Sequence, residues 1–512
     1  MKNFSWLIVL VALGSISRLV FALEFQLWNQ SPDQLAWELN LQEIFENGNW
    51  SYDSLIHYPH EGGTILISLF SLLFKPFTPF YSLVISVFVL DFAFRLIQLE
   101  IVKRIAGIKA MIIYGIWSIC AIPILISWGG INYGLHAISA TFPFVFVYLL
   151  FREHNTTKSY FQDGLFLGLS GWFIYSNFLF VPIYFLFLLY KKNKLNNYVV
   201  SASALMLVFS VHLLIRNSFD AGFHLSSFEA TSIRGQEFEI FNLDSYKALL
   251  TIWTGAVRES SLLIGNFIIS TNTIRWLWFC LSIAGIGTLI YAVAKKERSV
   301  IYIFGILVVI VYVSAYSISP FSIIDSSRAN YVFSRHLAYI FPFLMALSLI
   351  GFLSFKKMSY VIILLVLISF SGFVSQLKSP KSDAILYRPA GWVLTTKFGH
   401  NPERLSQIVI SSQLDGMAKN ELTIGYGWGL GTAFFQGIIL DSNSKDEVEA
   451  RTNQLIELFD QFPKSQLHEI KEGVVYSFSD QVEPLLHKSI LIEHLAPKMD
   501  SIIGARKYST FL

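Results

Sequence analysis

The chain has 512 residues, 54% of them hydrophobic and 14% charged, with a mean hydropathy of +0.54 and a formal net charge of +3. So much apolar surface excludes an ordinary soluble domain and predicts a polytopic α-helical membrane protein. The balance is only weakly basic and no basic run is interleaved with aromatics, which excludes nucleic acid as a partner.

Apolar runs of spanning length recur at 4–23, 80–102, 110–126, 134–151, 160–175, 177–190, 197–215, 273–294, 300–318, 336–354 and 359–375. By the twenty-residue criterion this is about eleven spans, the two between 160 and 190 being short and poorly separated. The first run follows Lys2, contains Arg18 and lacks a small-residue cleavage site, so it reads as a retained helix rather than a signal peptide. Cys120 and Cys280 sit inside apolar runs and spell neither a disulfide framework nor a metal site.

Between the first two runs lies the polar stretch SPDQLAWELNLQEIFENGNWSYDSLIHYPHEGG, residues 31–63. Ser31 caps a helix, Pro32 suits its first position, and Gln34 completes a capping box with Ser31. Asp33 falls in the first turn, where the positive end of the helix dipole favours a carboxylate. Trp37, Leu41, Ile44 and Phe45 recur at helical spacing, and Asn47-Gly48 is the stop. The spacing predicts an amphipathic helix lying on a membrane surface. A second surface helix is expected from Gly62 to Phe77, stopped by Lys75-Pro76.

Charges fix the expected orientation. Lys103, Arg104 and Lys109 follow the second run, Arg152 and Lys158 the fourth, Lys191, Lys192 and Lys194 the sixth. Lys295, Lys296 and Arg298 follow the eighth, Lys356 and Lys357 the tenth. Every second loop is basic, which places the amino terminus in the cytoplasm and the carboxyl tail outside. Domain 1–375 is then a membrane bundle with outer loops 27–79, 217–272 and 319–335, and 376–512 is a small extracytoplasmic domain. Within the 217–272 loop, Asp244 to Ser270 is apolar at helical spacing and is expected at the interface. The tail reads as mixed α/β: RLSQIVIS and GVVYSFSD as strands, KDEVEARTNQLIELFDQF as an amphipathic helix. Its GYGWGLG run lacks the dinucleotide-binding spacing and reads as a tight loop or a close-packing device, with phosphate cradling the weaker alternative.

Several groups could carry chemistry. His57, His60 and Glu61 have residue types that bind a divalent metal ion, but Pro59 breaks their spacing and no fourth ligand is evident; His60 and Glu61 could instead line a pocket and touch a substrate hydroxyl. Among the outward cations, Arg216, Arg234, Arg258, Arg328, Arg335 and His336, an Arg could hold phosphate oxygens bidentately or simply snorkel at a helix end. Within the apolar runs, Asp91 and Arg95 form a self-satisfying i,i+4 pair, whereas Arg18 has no partner in its own span and could reach an outer carboxylate.

The order Arg18-Leu19-Val20-Phe21, Ser31-Pro32-Asp33-Gln34, Asn47-Gly48-Asn49-Trp50 resembles the start of GT-C glycosyltransferases. It is most similar to protein O-mannosyltransferases and the transferase that adds aminoarabinose to lipid A. Tyr331 to Leu344, YVFSRHLAYIFPFL, is similar to a late span of that family with its basic residue and proline. The resemblance implies inverting sugar transfer from a polyprenyl-phosphate-linked donor to a glycan, lipid or protein acceptor outside the membrane. It implies Asp33 as general base with Glu61 a second catalytic candidate, and a substrate set drawn from Arg18, Gln34, His57, His60, Arg258, Arg335 and His336. Two departures stand out. Gln34 replaces an acid, and His60-Glu61-Gly62-Gly63 replaces a Glu-Lys-Pro-Pro run, removing a cation and freeing the backbone. The expected setting is a bacterial inner membrane, with membrane lipid as a partner and no cofactor beyond the divalent ion those residue types admit. The rival readings are a transporter or flippase of lipid-linked glycan and a non-catalytic cell-envelope scaffold.

Overall fold

A computed structural model describes residues 2–25, 62–76, 79–119, 138–154, 156–219, 271–317, 340–355, 416–441 and 445–482, with isolated positions between 37 and 48 and between 388 and 403. Every regular element among the described residues is helical, and none is a strand. The chain divides into two compact units: Met1–Phe25 with Asn40–Lys381, and Gln26–Leu39 with Ser382–Leu512.

The first unit holds α1 (Lys2–Phe25), α2 (Gly62–Ser71, prolonged by a 3-10 turn Leu72–Phe74), α3 (Pro79–Ala106) and α4 (Ile108–Ile119). It continues with α5 (Phe142–Phe151), α6 (Thr157–Phe173), a 3-10 turn Tyr175–Leu179, α7 (Phe180–Tyr190) and α8 (Leu195–Phe219). The last described are α9 (Thr271–Ala294), α10 (Ile301–Ser317) and α11 (Phe341–Leu353). Thus the poorly separated runs between 160 and 190 are two helices parted by the 3-10 turn. Pro143 and Pro342 open α5 and α11, where a fixed φ and a missing N–H cost nothing. At the other ends of α7 and α9, Lys192 and Lys296 adopt φ of 51° and 60°. The next amides, of Asn193 and Glu297, bond back to the carbonyls of Leu188 and Ala292, closing both helices as Schellman caps at the basic loops.

Helix pairs in this unit approach through small residues. A Cβ on Gly164 would run into the Ser201 carbonyl, and one on Gly168 would lie 2.8 Å from Val208, so α6 and α8 nearly touch backbones. Gly285 and Gly351 do the same for α9 and α11, where the Ser348 hydroxyl also donates to the Ser282 carbonyl at 3.2 Å. The helix ends sort into two sets. At one, Arg104 of α3 meets Tyr148 of α5 at 2.8 Å, Tyr302 of α10 donates to the Ile105 carbonyl at 2.8 Å, and Arg298 reaches Ser354 at 3.0 Å. At the other, Gly62 lies against Trp172, and Tyr312 donates to Ser176 at 3.1 Å. Arg104 and Arg298 thus fall in the first set, whereas Lys75, just before α3, lies at the opposite end of that helix from Arg104.

The unit has an apolar core but also leaves large apolar side chains uncovered and buries small polar ones. Trp6, Leu13, Leu189, Met206, Leu207 and Leu214 are exposed, while Ser68, Ser71, Ser82, Ser86, Ser170 and Ser201 are fully buried. Among the described residues one stretch, Ser82–Ala106, is both long and apolar enough to cross a membrane; the other apolar stretches are 10–17 residues.

The second unit holds α12 (Gly416–Asp441), α13 (Lys445–Phe459) and α14 (Leu467–Val482). The helix expected from KDEVEARTNQLIELFDQF is α13, with Leu455 and Phe459 buried. One expectation is corrected, and for the glycine run the close-packing alternative is met. GVVYSFSD lies inside α14 and is no strand, so the described part of the tail is helical rather than mixed α/β; RLSQIVIS lies outside the described residues. The GYGWGLG run is no loop but the middle of α12, and its glycines are spacers. Gly425 and Gly429, one turn apart, abut the Arg388 carbonyl and Thr395, while Gly427 and Gly431 abut the Ile470 carbonyl and Ser477 of α14. Alternate glycines are therefore two interleaved i,i+4 stripes on opposite faces, and α12 is held between two close neighbours.

Candidate functional site

The frame around the expected site is described better than its centre. Asp33, Gln34, His57, His60, Glu61, Arg258, Arg335 and His336 lie outside the described residues. Arg18 belongs to α1, one helical turn beyond Gly14. The apolar positions Trp37, Leu41 and Ile44 are helical and buried, with Phe45 half-buried, so the periodicity of the opening helix is met. Gly48 is non-helical with φ of 62°, and no atom would obstruct a side chain there. Its glycine serves the left-handed conformation that ends a helix. Gly62 serves a different need than the one expected. It is the helical first residue of α2, and a Cβ there would collide with the Trp172 indole, so it supplies room rather than backbone freedom. α2 runs as expected from Gly62, with Lys75 ending its 3-10 extension.

Along one face of α3, Asp91, Arg95 and Gln98 are buried in succession. Arg95 Nε donates to Asp91 Oδ2 at 2.7 Å, and Ser15 of α1 donates to the same oxygen at 3.3 Å. The i,i+4 pair thus closes on itself as the spacing implied. Gly14 packs close beside it, since a Cβ would stand 3.1 Å from Arg95 Nη1 and the guanidinium would have to give by a few tenths of an ångström. One turn on, Gln98 donates to Thr141 at 2.8 Å and accepts from the Tyr114 hydroxyl at 3.0 Å. These bonds tie α1, α4 and α5 to α3 in its apolar middle.

A second cluster was not anticipated. Asp163, in the apolar run of α6, is completely buried and meets three side chains. Arg152 Nη2 lies 2.6 Å from Oδ1, while His154 Nε2 and the Tyr184 hydroxyl each lie 2.7 Å from Oδ2. Ser201 lies 3.4 Å from the Tyr184 hydroxyl and donates to the Tyr160 carbonyl, and Tyr160 donates to Asn193 at 2.6 Å. The signal was present: a carboxylate inside an apolar run, eleven and nine residues after a basic pair, implies a buried partner. With its lone pairs taken by Arg, His and Tyr, this carboxylate is built to hold α5, α6, α7 and α8 together at their basic end. Neither cluster offers a free nucleophile or base. Among the described residues no group of three or more His, Cys, Asp or Glu side chains could hold a metal ion, and the divalent-ion candidates His57, His60 and Glu61 lie outside them.

No protein-family model, curated protein or solved structure matches this chain.

Proposed function

We propose that the chain is a polytopic membrane glycosyltransferase of GT-C type, moving a sugar from a polyprenyl-phosphate-linked donor to a glycan, lipid or protein acceptor on the extracytoplasmic side. The observation that carries this reading is the order Arg18, Ser31-Pro32-Asp33-Gln34, Asn47-Gly48 along the sequence, beside the helical, buried Trp37, Leu41 and Ile44 and a φ of 62° at Gly48. The membrane setting draws support from the exposed leucines and buried serines of the first unit, and the orientation from the alternation of basic loops along the sequence, with Arg104 and Arg298 among the same set of helix ends.

Asp33, ionised at a helix amino terminus, takes the proton of the acceptor hydroxyl as its oxygen attacks the anomeric carbon. The carbon–oxygen bond to the lipid phosphate breaks with inversion, and the electron pair leaves on the polyprenyl phosphate. Arg18, Arg258, Arg335 and His336 are the cations assigned to that growing charge, and Gln34, His57 and His60 to the sugar and acceptor hydroxyls, with Glu61 the second catalytic candidate. Purified protein incubated with a panel of polyprenyl-phosphate sugars should release polyprenyl phosphate. Flux of lipid-linked glycan across vesicles with no release would replace this reading by transport.

Transport is the second reading, and one observation favours it. Buried charge in the apolar middle of a helix is where transporters keep their substrate contacts, and Asp91, Arg95 and Gln98 form such a line. Their mutual satisfaction argues for a packing role.

A further inference from the structure

The cations at the helix ends of the first unit differ in whether the protein neutralises them. Lys103 and Arg104 of α3 bind Glu100 at 2.9 and 3.0 Å, and Arg152 binds Asp163 at 2.6 Å. The α7–α8 turn, Lys191-Lys192-Asn193-Lys194, contains no acid. Its three lysines are exposed, and none of them forms an ion pair among the described residues. Phe187 and Tyr190 at the end of α7 meet Phe304 at 5.4 and 5.7 Å, two residues past the Tyr302 that donates to the Ile105 carbonyl, so the turn belongs with Arg104 to the first set of helix ends. The turn is also held in place. Lys191 Nζ stands over the Phe187 ring at 5.8 Å, and Lys192 takes its φ of 51° where glycine would close the helix with less strain. Asn193 Oδ1 accepts from the Tyr160 hydroxyl at 2.6 Å and from Asn197 at 3.0 Å. Flanking the lysines, Leu189, Tyr190 and Leu195 are 65%, 53% and 78% exposed.

We infer that the α7–α8 turn binds an anionic phospholipid of the leaflet at this end of the bundle, with Lys191, Lys192 and Lys194 around its phosphate and Leu189, Tyr190 and Leu195 against its acyl chains. Two features select this occupant. Three ammonium groups held on one short, fixed turn repel one another, and an anion among them relieves that repulsion. A small hydrophilic anion leaves the neighbouring leucines and tyrosine uncovered, whereas an amphiphile meets the charge and the apolar surface with one molecule. Because Asn193 and the left-handed Lys192 already fix the backbone, little freedom is lost on binding. The matching cap of α9 offers less charge, since Glu297 follows Lys295-Lys296 directly. The inference rests on the membrane setting proposed above and not on the transfer chemistry.

The test titrates the full chain, in a neutral detergent, with phosphatidylglycerol, phosphatidylcholine and the water-soluble headgroup glycerophosphoglycerol, read by native mass spectrometry and melting temperature. Phosphatidylglycerol should bind at least about tenfold more tightly than phosphatidylcholine, and the free headgroup at equal concentration should not displace it. Lys191→Gln with Lys192→Gln should weaken phosphatidylglycerol by roughly tenfold or more, and Lys191→Arg with Lys192→Arg by less than about threefold. Lys103→Gln with Lys109→Gln, the same loss of charge on α3 and α4, should also cost less than about threefold, because screening confines each charge to its surroundings. Since Lys191 and Lys192 are exposed, their variants should melt with the parent when no lipid is added. Equal binding of the two phospholipids, equal losses in the two glutamine pairs, or displacement by glycerophosphoglycerol overturns the inference. Reconstitution separates it from the reading beneath it. A chain that enters phosphatidylcholine bilayers yet prefers neither lipid removes the turn alone, and a chain that enters no bilayer removes the membrane setting as well.

Discussion

The two units join their helices in the same way and differ in what they leave uncovered. In the first, Gly164 and Gly168 or Gly285 and Gly351 let backbones meet, and in the second Gly425 and Gly429 with Gly427 and Gly431 do so. Yet the first unit turns Leu207 and Leu214 outward and keeps serines inside. The second buries Leu455 and Phe459 of α13 and puts Asp446, Glu447 and Glu449 on its surface. Close packing through small residues therefore identifies no solvent by itself. What distinguishes the units is which residues are left uncovered, and the proposed reading takes that as hydrocarbon around the first and water around the second.

The ion pairs carry the same contrast and give the largest expected effect. Asp163 itself is fully buried, although its partner Arg152 is 23% exposed, whereas in the second unit's pair, Arg388 with Glu421, both side chains are 19% exposed. Asp163→Asn leaves Arg152 without its carboxylate and should cost about 3–5 kcal/mol, against about 1 kcal/mol for Glu421→Gln. Thermal melts of the two variants in nanodiscs would measure this, and equal losses would break the contrast.

Lysine substitution probes the surroundings directly. Leu207→Lys on α8 should cost about 3 kcal/mol if that face meets lipid, while Ile456→Lys on α13 should stay within about 0.5 kcal/mol. Similar small effects at both sites would put water around the first unit. Next comes packing: Gly425→Ala forces a methyl against the Arg388 carbonyl and should destabilise by about 1–3 kcal/mol. Gly287→Ala, with open space around it, should be neutral or stabilise by up to about 1 kcal/mol. Among the losses expected in the first unit the smallest is Ser15→Ala, which removes one 3.3 Å bond to Asp91 and should cost about 0.5–1.5 kcal/mol by the same melts.

Periodicity and punctuation were legible wherever local chemistry decides the outcome. Trp37, Leu41 and Ile44 repeat at helical spacing and are buried, and the Gly48 stop needs a left-handed φ that the dipeptide Asn47-Gly48 announces. The tail was misread where tertiary packing decides. In GVVYSFSD, alternation of bulky and small residues mimics a strand, but Gly473 and Ser477 are one helical turn apart and both face α12. The run of alternate glycines has the same ambiguity, because a period of two is also two superposed periods of four. Asp163 was overlooked for another reason. Its partners Arg152, His154 and Tyr184 come from separate elements, and no local spacing links a tyrosine of α7 to a carboxylate of α6. The centre of the expected site, Asp33 with His57, His60 and Glu61, lies outside the described residues, so its assignment still stands on the order of residues along the chain.

Turnover of a lipid-linked sugar by Asp33→Asn beside the parent is the most direct test of the proposed chemistry. Parent protein should release polyprenyl phosphate, and the variant, with an unchanged melting temperature, should lose about 10²–10⁴-fold in rate through the missing base. Equal turnover by a folded Asp33→Asn would contradict the assignment and leave Asp33 as the first-turn carboxylate of a surface helix.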